Sequence, residues 1–200
     1  MRREKEDRRI RMTKRLLREG LIRLLSQNPI SKISVKMICE AADINRSTFY
    51  AHYADQYDLL QKIQEEVLLD LKEYLSSTLF MQQQEDATAM VTQILEYAKA
   101  NAMVLRVLLG EHGGAAFQKE VIALAQKSTL ESLRSNPALS ERTALYIELY
   151  TITGALSVVR CWLEGDCAQE PGAVARLTMK LVFHGIYGAC ASPEGQPFAR

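Results

Sequence analysis

The sequence has little of what disulfide-built, fibrous or loop-rich proteins depend on. Its 200 residues include only five prolines, ten glycines and four cysteines, the last at positions 39, 161, 167 and 190. Four cysteines in a chain of this length do not form a disulfide scaffold. Apolar residues make up 48% of the chain, which is enough to bury a core and excludes disorder for most of it.

Signals for export and for catalysis are also missing. No apolar segment follows the charged first nine residues, so we expect no signal peptide and a cytoplasmic, reduced protein. There is no glycine-rich phosphate loop, no His/Glu metal motif and no nucleophile elbow. Cys161 and Cys167 fit no zinc spacing and are expected to be buried free thiols, with a redox sensor as the alternative. We therefore expect no enzyme activity, no cofactor and no metal.

Charge is distributed unevenly along the chain. Residues 1–53 contain 13 Lys/Arg against 6 Asp/Glu, a net charge of +7, whereas residues 54–200 contain 12 against 18, a net charge of −6. Such asymmetry indicates that one end meets a polyanion. The alternative is that the basic run is only a solvated face.

Apolar residues recur with helical period throughout, and no stretch alternates like a strand, which predicts an all-α fold. The predicted helices cover residues 7–26, 35–42, 46–53, 55–76, 87–98, 101–109, 115–133, 140–164 and 171–191. Asp55 is expected to cap the fourth of these helices, with Asp58 in its first turn as a capping-box analogue. The polar stretch 82–86 separates a first domain, 1–76, from a second domain, 77–191, and the tail 192–200 is expected to be disordered.

The apolar segment 144–163 is long enough to span a membrane, but it contains Glu148 and Arg160. Each would cost about 2.5–3.5 kcal/mol or less in hydrocarbon. A buried or interface helix without membrane contact is therefore the better interpretation. Glu148 and Arg160 are expected to form an interface pair or separate solvent contacts.

The most informative segment is 34–60. A short helix capped by Ser34, a tight turn at Asp43 and a second short helix capped by Asn45 follow the helix-turn-helix plan. Tyr53 is expected to pack inside, with DNA contact as the alternative. The second helix would expose donors for phosphates or base edges, namely Arg46, Ser47, Thr48, Tyr50 and His52.

The runs Ile44-Asn45-Arg46-Ser47-Thr48-Phe49-Tyr50-Ala51-His52-Tyr53 and Asp55-Gln56-Tyr57-Asp58-Leu59-Leu60 resemble the signature of the TetR family of bacterial transcriptional regulators. Segments 33–36 and 38–42 match its pattern too, and the resemblance covers about residues 8–75. It implies a three-helix DNA-binding head, joined by a fourth helix (55–76) to a helical effector and dimerisation domain.

The same resemblance implies which residues meet DNA. Arg46 and Ser47 would face bases, and Thr48 and Tyr50 would contact phosphates and nearby bases. The full expected set is Ser34, Lys36, Arg46, Ser47, Thr48, Tyr50, His52 and Gln56. Two positions depart from the family pattern. Asp43 stands where glycine is usual, and Gln56 stands where lysine is usual, which removes a charged phosphate contact.

In the second domain the resemblance implies an effector pocket and a dimer interface. The expected pocket is apolar and is lined by Met90, Ile94, Met103, Leu108, Phe117, Val121, Leu149 and Tyr150. A filled core without ligand is the alternative, and Tyr150 could instead serve core or dimer packing. The expected dimer interface contains Gly154, Leu156, Val182 and Ile186 in the last two helices.

Together these patterns predict a regulator that binds a pseudo-palindromic operator in double-stranded DNA as a homodimer. We expect a repressor that a small apolar effector releases or modulates. An activator of the same family and a helical protein-interaction module without DNA binding are the alternatives.

Overall fold

A computed structural model describes the backbone of residues 2–76, 84–110, 115–129 and 139–191, and the side chains of 8–75, 87–110, 115–126 and 139–183. The described elements are all helical, which confirms the predicted all-α fold. They are α1 (Arg2–Leu25), a 3-10 turn (Ile30–Lys32), α2 (Val35–Ala42), α3 (Arg46–Tyr50), α4 (Gln56–Ser76), α5 (Gln84–Ala100), α6 (Ala102–Leu109), α7 (Ala115–Thr129), α8 (Glu141–Glu164) and α9 (Pro171–Ala191).

Most predicted helix boundaries agree with the structure within a few residues, and the exceptions have local causes. The recognition helix α3 ends at Tyr50 instead of residue 53, because the amides of His52 and Tyr53 both donate to the Phe49 carbonyl and close a turn there. Helix α1 begins five residues earlier than predicted. The end of the predicted helix 115–133 and the tail 192–200 lie outside the described residues.

The chain forms two compact units. The first holds the described residues of Met1–Leu69 and Met103–Gln118, and the second holds those of Asp70–Ala102 and Lys119–Arg200. This grouping differs from the predicted linear division at residues 76 and 77, because most of α6 and the start of α7 belong to the first unit.

The core of the first unit is built from one apolar stripe on each of α1 to α4. Helix α1 lies against α2, and Gly20 permits a close approach: a Cβ atom at Gly20 would lie 3.4 Å from the Ala42 Cβ and 3.4 Å from the Ile38 carbonyl oxygen. The central buried side chains are Leu17, Leu21, Leu25, Ile38, Phe49, Leu59, Ile63 and Val67.

In the second unit α9 packs along α5, and α8 contacts both helices. The indole N–H of Trp162 donates to the Gln169 carbonyl at 2.9 Å and fixes the turn between α8 and α9. Glu148 lies on the buried face of α8 with Ala144 and Ile152, and it is only 1% exposed. The prediction that Glu148 contacts solvent is therefore wrong, because its turn of α8 faces the interior of the unit.

The contact at Gly20 makes a steric prediction. Gly20→Ala adds a methyl group at ordinary contact distance and removes a helix-interior glycine, so it should stabilise the protein by up to about 1 kcal/mol. Gly20→Val adds branched methyl groups that must push α1 away from α2, which should destabilise by about 1–3 kcal/mol. Urea denaturation of the two variants checks this. Equal stability of both variants would contradict the close approach.

Candidate nucleic-acid interface

Helix α2 starts and stops through local hydrogen bonds, as the sequence predicted. The Ser34 hydroxyl accepts from the Met37 amide at 3.3 Å, which caps the helix. The helix ends at Asp43, which adopts the left-handed conformation at φ 53° and ψ 44°. Aspartate tolerates this region better than most residues, so the turn between α2 and α3 forms without glycine.

Helix α3 has only five residues and depends on its surroundings. The Asn45 side-chain oxygen accepts from both the amide and the hydroxyl of Ser47, each at 3.0 Å. Phe49 is fully buried and its ring lies 5.6 Å from that of Tyr50 and 5.7 Å from that of Tyr53. Tyr53 is itself buried, which confirms that it packs inside.

The Asn45 cap and the buried Phe49 ring thus fix the orientation of the side chains on the outer face of α3. Arg46, Ser47 and Tyr50 are exposed, whereas Thr48 and His52 are half-buried. Tyr50 leaves 59% of its surface exposed although it is a large aromatic residue.

Residues of α2 join this surface. Lys36 and Arg46 line the same open depression, together with Cys39, Glu40, Asp43, Ile44 and Asn45. The Lys36 ammonium lies 3.8 Å from the Glu40 carboxylate, so part of its charge is balanced. Burial raises the pKa of the Cys39 thiol, and the neighbouring Arg46 charge opposes that rise. Cys39 therefore serves as a neutral packing residue at the floor of the depression.

The start of α4 completes the surface through a reciprocal cap. The Asp55 carboxylate accepts from the amides of Tyr57 and Asp58 at 2.8 and 2.9 Å, and the Asp58 carboxylate accepts from the Ala54 amide at 2.8 Å. This is the predicted capping-box analogue. The hydrogen bond from Ala54 lowers the pKa of Asp58, and Lys62 contributes in the same direction.

The first turn of α4 carries the expected site residue Gln56 and an exposed aromatic residue, Tyr57, that was not among the expected site residues. Gln56 is the first residue of α4 and is half-buried. Tyr57 follows it and is 49% exposed, at the same helix end. The available signal was its position two residues after the Asp55 cap, in the first turn of α4, where a large aromatic side chain has no core role.

The eight expected pocket residues do not form one inward-facing set. Met103, Leu108 and Phe117 belong to the first unit, and the other five belong to the second. Leu108, Phe117 and Met90 are buried, and Ile94 and Val121 are half-buried. Met103, Leu149 and Tyr150 are exposed, Tyr150 to 78%, so their assignment to an inner face is wrong for the single chain.

The expected interface residues also differ from one another. Gly154 is exposed, and apart from its own stretch of helix backbone no described atom lies within 4 Å of the position that its Cβ would occupy. Leu156 and Val182 are half-buried, and the side chain of Ile186 lies outside the described residues. The larger exposed apolar side chains of α8 and α9 are Leu145, Tyr146, Leu149, Tyr150, Leu177 and Leu181.

Metal ligation was not expected from the sequence. One of the three histidines, His112, lies outside the described residues. Within the part of the chain whose side chains are described, no group of three or more His, Cys, Asp or Glu residues could hold a metal ion. Cys161 is exposed, contrary to the expectation of a buried thiol, whereas Cys167 is buried.

Comparison with known proteins gives matches at both ends of the chain. A family model described as "Bacterial regulatory proteins, tetR family" matches residues 17–63, and a TetR-type model described as "Transcriptional regulator C-terminal region" matches residues 85–184. The uncharacterized HTH-type transcriptional regulator YxbF of Bacillus subtilis (strain 168) is 25% identical over 89% of this chain. The chain spans 48% of the length of that relative.

Solved structures share the fold at low identity. A TetR transcriptional regulator from Streptococcus agalactiae 2603V is 20% identical, covers 88% of this chain and 97% of its own, and gives a TM-score of 0.60. The regulator FadR from Bacillus subtilis, in complex with stearoyl-CoA, is 14% identical, covers 85% and 97%, and gives a TM-score of 0.62.

Asn45 caps α3 and also lines the depression beside Arg46. Substitutions at this position should therefore separate an effect on folding from an effect on DNA binding. Asn45→Ala should destabilise the protein by about 1 kcal/mol, because the α3 amide loses its cap. Asn45→Asp should fold like the parent, since aspartate caps equally well, yet bind DNA more weakly because it adds a negative charge beside Arg46. Thermal unfolding and DNA titration of both variants check this. Tighter DNA binding by Asn45→Asp would contradict the placement of Asn45 at the interface.

The lowered pKa of Asp58 predicts a pH dependence. A carboxyl group whose pKa is lower in the folded state adds stability above its unfolded pKa, and that stability is lost as the pH falls through the folded value. Asp58→Ala should therefore lower the melting temperature at pH 7 but not at pH values below the folded pKa. Melting curves of both proteins from pH 7 down to pH 2 check this, and a constant difference over that range would contradict it.

Proposed function

Because the chain belongs to the TetR family of bacterial transcriptional regulators, we propose that it binds a pseudo-palindromic DNA operator as a homodimer and represses transcription from it. The observation that carries the proposal is the outer face of α3. There Arg46, Ser47 and Tyr50 are exposed on a helix that is capped at its start and anchored by Phe49.

Each side chain of this face has a role that fits its chemistry. The fork of Arg46 binds the O6 and N7 atoms of a guanine in the major groove, with about 1–3 kcal/mol of discrimination. Ser47 reads an adjacent base edge. The remaining side chains bind phosphates or groove edges, which orients α3 without reading sequence. They are Ser34, Lys36, Thr48, Tyr50, His52 and Gln56.

The homodimer is supported by the surface of α8 and α9. Helix α8 is the one described helix that is long and apolar enough to span a membrane, yet only 17% of its most apolar window is buried. Its exposed face carries Leu145, Leu149 and Tyr150, and α9 adds Leu177 and Leu181. A second copy that applies the same two helices buries both faces in a four-helix bundle. We therefore propose a protein dimer in the cytoplasm, without membrane contact.

A small, mostly apolar effector releases or modulates this dimer in our proposal. Its site lies in the second unit, where Met90, Ile94 and Val121 supply apolar surface. The related FadR was solved with stearoyl-CoA, which supports an apolar ligand class for this chain. Binding must favour one arrangement of the two DNA-binding heads in order to act as a switch. Thermal shifts with a panel of acyl and aromatic metabolites test this, and a uniformly null panel would contradict it.

The division of roles on α3 predicts that substitutions at Arg46 and Tyr50 impair DNA binding in two different ways. Arg46→Ala should relax base preference at one position of each half-site, because the guanine contact is lost. Tyr50→Phe should weaken binding to all sequences alike, because its hydroxyl binds phosphate. Selection from a random DNA library with each protein measures both profiles. Identical profiles for the two variants would contradict the assignment, and failure of the parent to recover an inverted repeat would favour the protein-interaction module.

The dimer surface makes a second prediction. Leu149→Glu with Leu181→Glu should give monomers that lose operator binding, because a second copy would have to bury unpaired carboxylates. The control is Leu69→Glu, which alters an exposed leucine on α4, outside the two helices of the proposed interface. Light scattering after gel filtration, together with DNA titration, separates the two. A dimeric double variant would place the interface elsewhere.

A further inference from the structure

The hydroxyl group of Ser47 forms a hydrogen bond whose direction can be assigned. Asn45 and Ser47 are both exposed at the start of α3. One atom of the Asn45 side chain, Oδ1, lies 3.0 Å from the Ser47 amide nitrogen and 3.0 Å from Ser47 Oγ. A backbone amide can only donate, so this atom of Asn45 must be the amide oxygen and not the nitrogen. Because that oxygen can only accept, the Ser47 hydroxyl must be the donor in the second bond.

The direction of this bond limits what Ser47 offers to a ligand. A hydroxyl group has one proton and two lone pairs. The proton of the Ser47 hydroxyl is used within the protein, so only the lone pairs remain for an outside group. A hydroxyl that donates one hydrogen bond also becomes a somewhat better acceptor for another. Ser47 therefore presents an acceptor on the outer face of α3.

The Asn45 oxygen stays beside the Ser47 hydroxyl because it also caps α3. The cap bond joins Asn45 Oδ1 to the Ser47 backbone amide, so the oxygen cannot leave without uncapping the helix. To donate to a ligand instead, the hydroxyl would have to rotate away and give up its bond to Asn45. The loss of one neutral hydrogen bond changes an equilibrium constant about 2- to 12-fold. One side chain therefore sets both the start of α3 and the direction of the hydroxyl.

We propose that Ser47 selects adenine or cytosine over guanine or thymine at one position of each half-site, because Asn45 restricts its hydroxyl to accepting. In the major groove adenine and cytosine carry an amino group, which donates, whereas guanine and thymine carry a carbonyl oxygen, which accepts. A serine whose hydroxyl is free reads either class. Arg46 can only donate and selects an acceptor at its own position. This inference rests on the proposed function and names the base chemistry that Ser47 reads.

Three variants of the full chain separate the direction of the hydroxyl from its presence. Ser47→Ala removes the hydroxyl, and the base pair whose preference then disappears is called the Ser47 position. Asn45→Gly removes the oxygen that accepts the proton, and α3 still forms because glycine is an accepted N-cap residue. Asn45→Asp is the matched control, since it also lacks the amide nitrogen of Asn45 but keeps an accepting oxygen. Circular dichroism verifies that all three variants fold.

Selection from a random DNA library measures the base preference of each protein. The parent and Asn45→Asp should favour adenine and cytosine over guanine and thymine about 2- to 12-fold at the Ser47 position. Asn45→Gly should accept all four bases there, because its hydroxyl is free to donate or to accept. All three variants should still recover the guanine that is assigned to Arg46.

A base analogue gives a second measurement that needs no change at Asn45. Purine in place of a recovered adenine, or 2-pyrimidinone in place of a recovered cytosine, deletes the amino group of the base at the Ser47 position. This deletion should weaken binding of the parent about 2- to 12-fold and leave binding of Ser47→Ala unchanged. DNA titrations at one fixed salt concentration compare the two proteins on the same pair of duplexes.

Several results would overturn the proposal. They are a preference for guanine or thymine at the Ser47 position, an amino-base preference that survives in Asn45→Gly, and an equal effect of the base analogue on the parent and on Ser47→Ala. A Ser47→Ala profile identical to that of the parent overturns it too, because Ser47 would then read no base. Each of these results leaves operator binding by Arg46 intact. Failure of the parent to recover an inverted repeat overturns the proposed function as well.

Discussion

A five-residue helix has no stability of its own, and the orientation of α3 therefore depends on the burial of Phe49. Helix nucleation fixes several residues for a single hydrogen bond, so α3 cannot persist without external support. Phe49 supplies that support from inside, where it is fully buried and its ring contacts the exposed ring of Tyr50 and the buried ring of Tyr53. Asn45 supplies it from outside by capping the first turn. Every DNA contact proposed for the side chains of α3 inherits its geometry from these two residues.

Electrostatics then determines how the head meets a polyanion. The depression beside α3 contains Glu40 and Asp43 as well as Lys36 and Arg46, so its net attraction for phosphate is small. The excess positive charge lies instead on α1, where cations outnumber acids between residues 8 and 19. Positive charge is therefore nearly balanced beside α3 and strongly in excess on the exposed part of α1.

Helix caps and turns could be predicted from the sequence, whereas the direction in which each helix face points could not. The caps at Ser34, Asn45 and Asp55, and the left-handed turn at Asp43, depend on a few adjacent residues, and the structure contains all of them. Helical period identifies residues that share a face, but it does not say whether that face turns inward or toward a second copy. Leu149 and Tyr150 were therefore assigned to a pocket although they are exposed, and Glu148 was expected at an interface or in solvent although it is buried within the single chain.

Methylation protection of guanine N7 on the selected operator tests the central claim most directly, because N7 lies in the major groove where Arg46 is proposed to bind. The account predicts two protected blocks, related by two-fold symmetry and separated by about one helical turn, or a multiple of it. Arg46→Ala should lose protection at a single guanine of each block while the rest remains. Unprotected guanine N7 atoms with protection only of adenine N3 in the minor groove, or a single unpaired block, would contradict a dimer that reads DNA through α3.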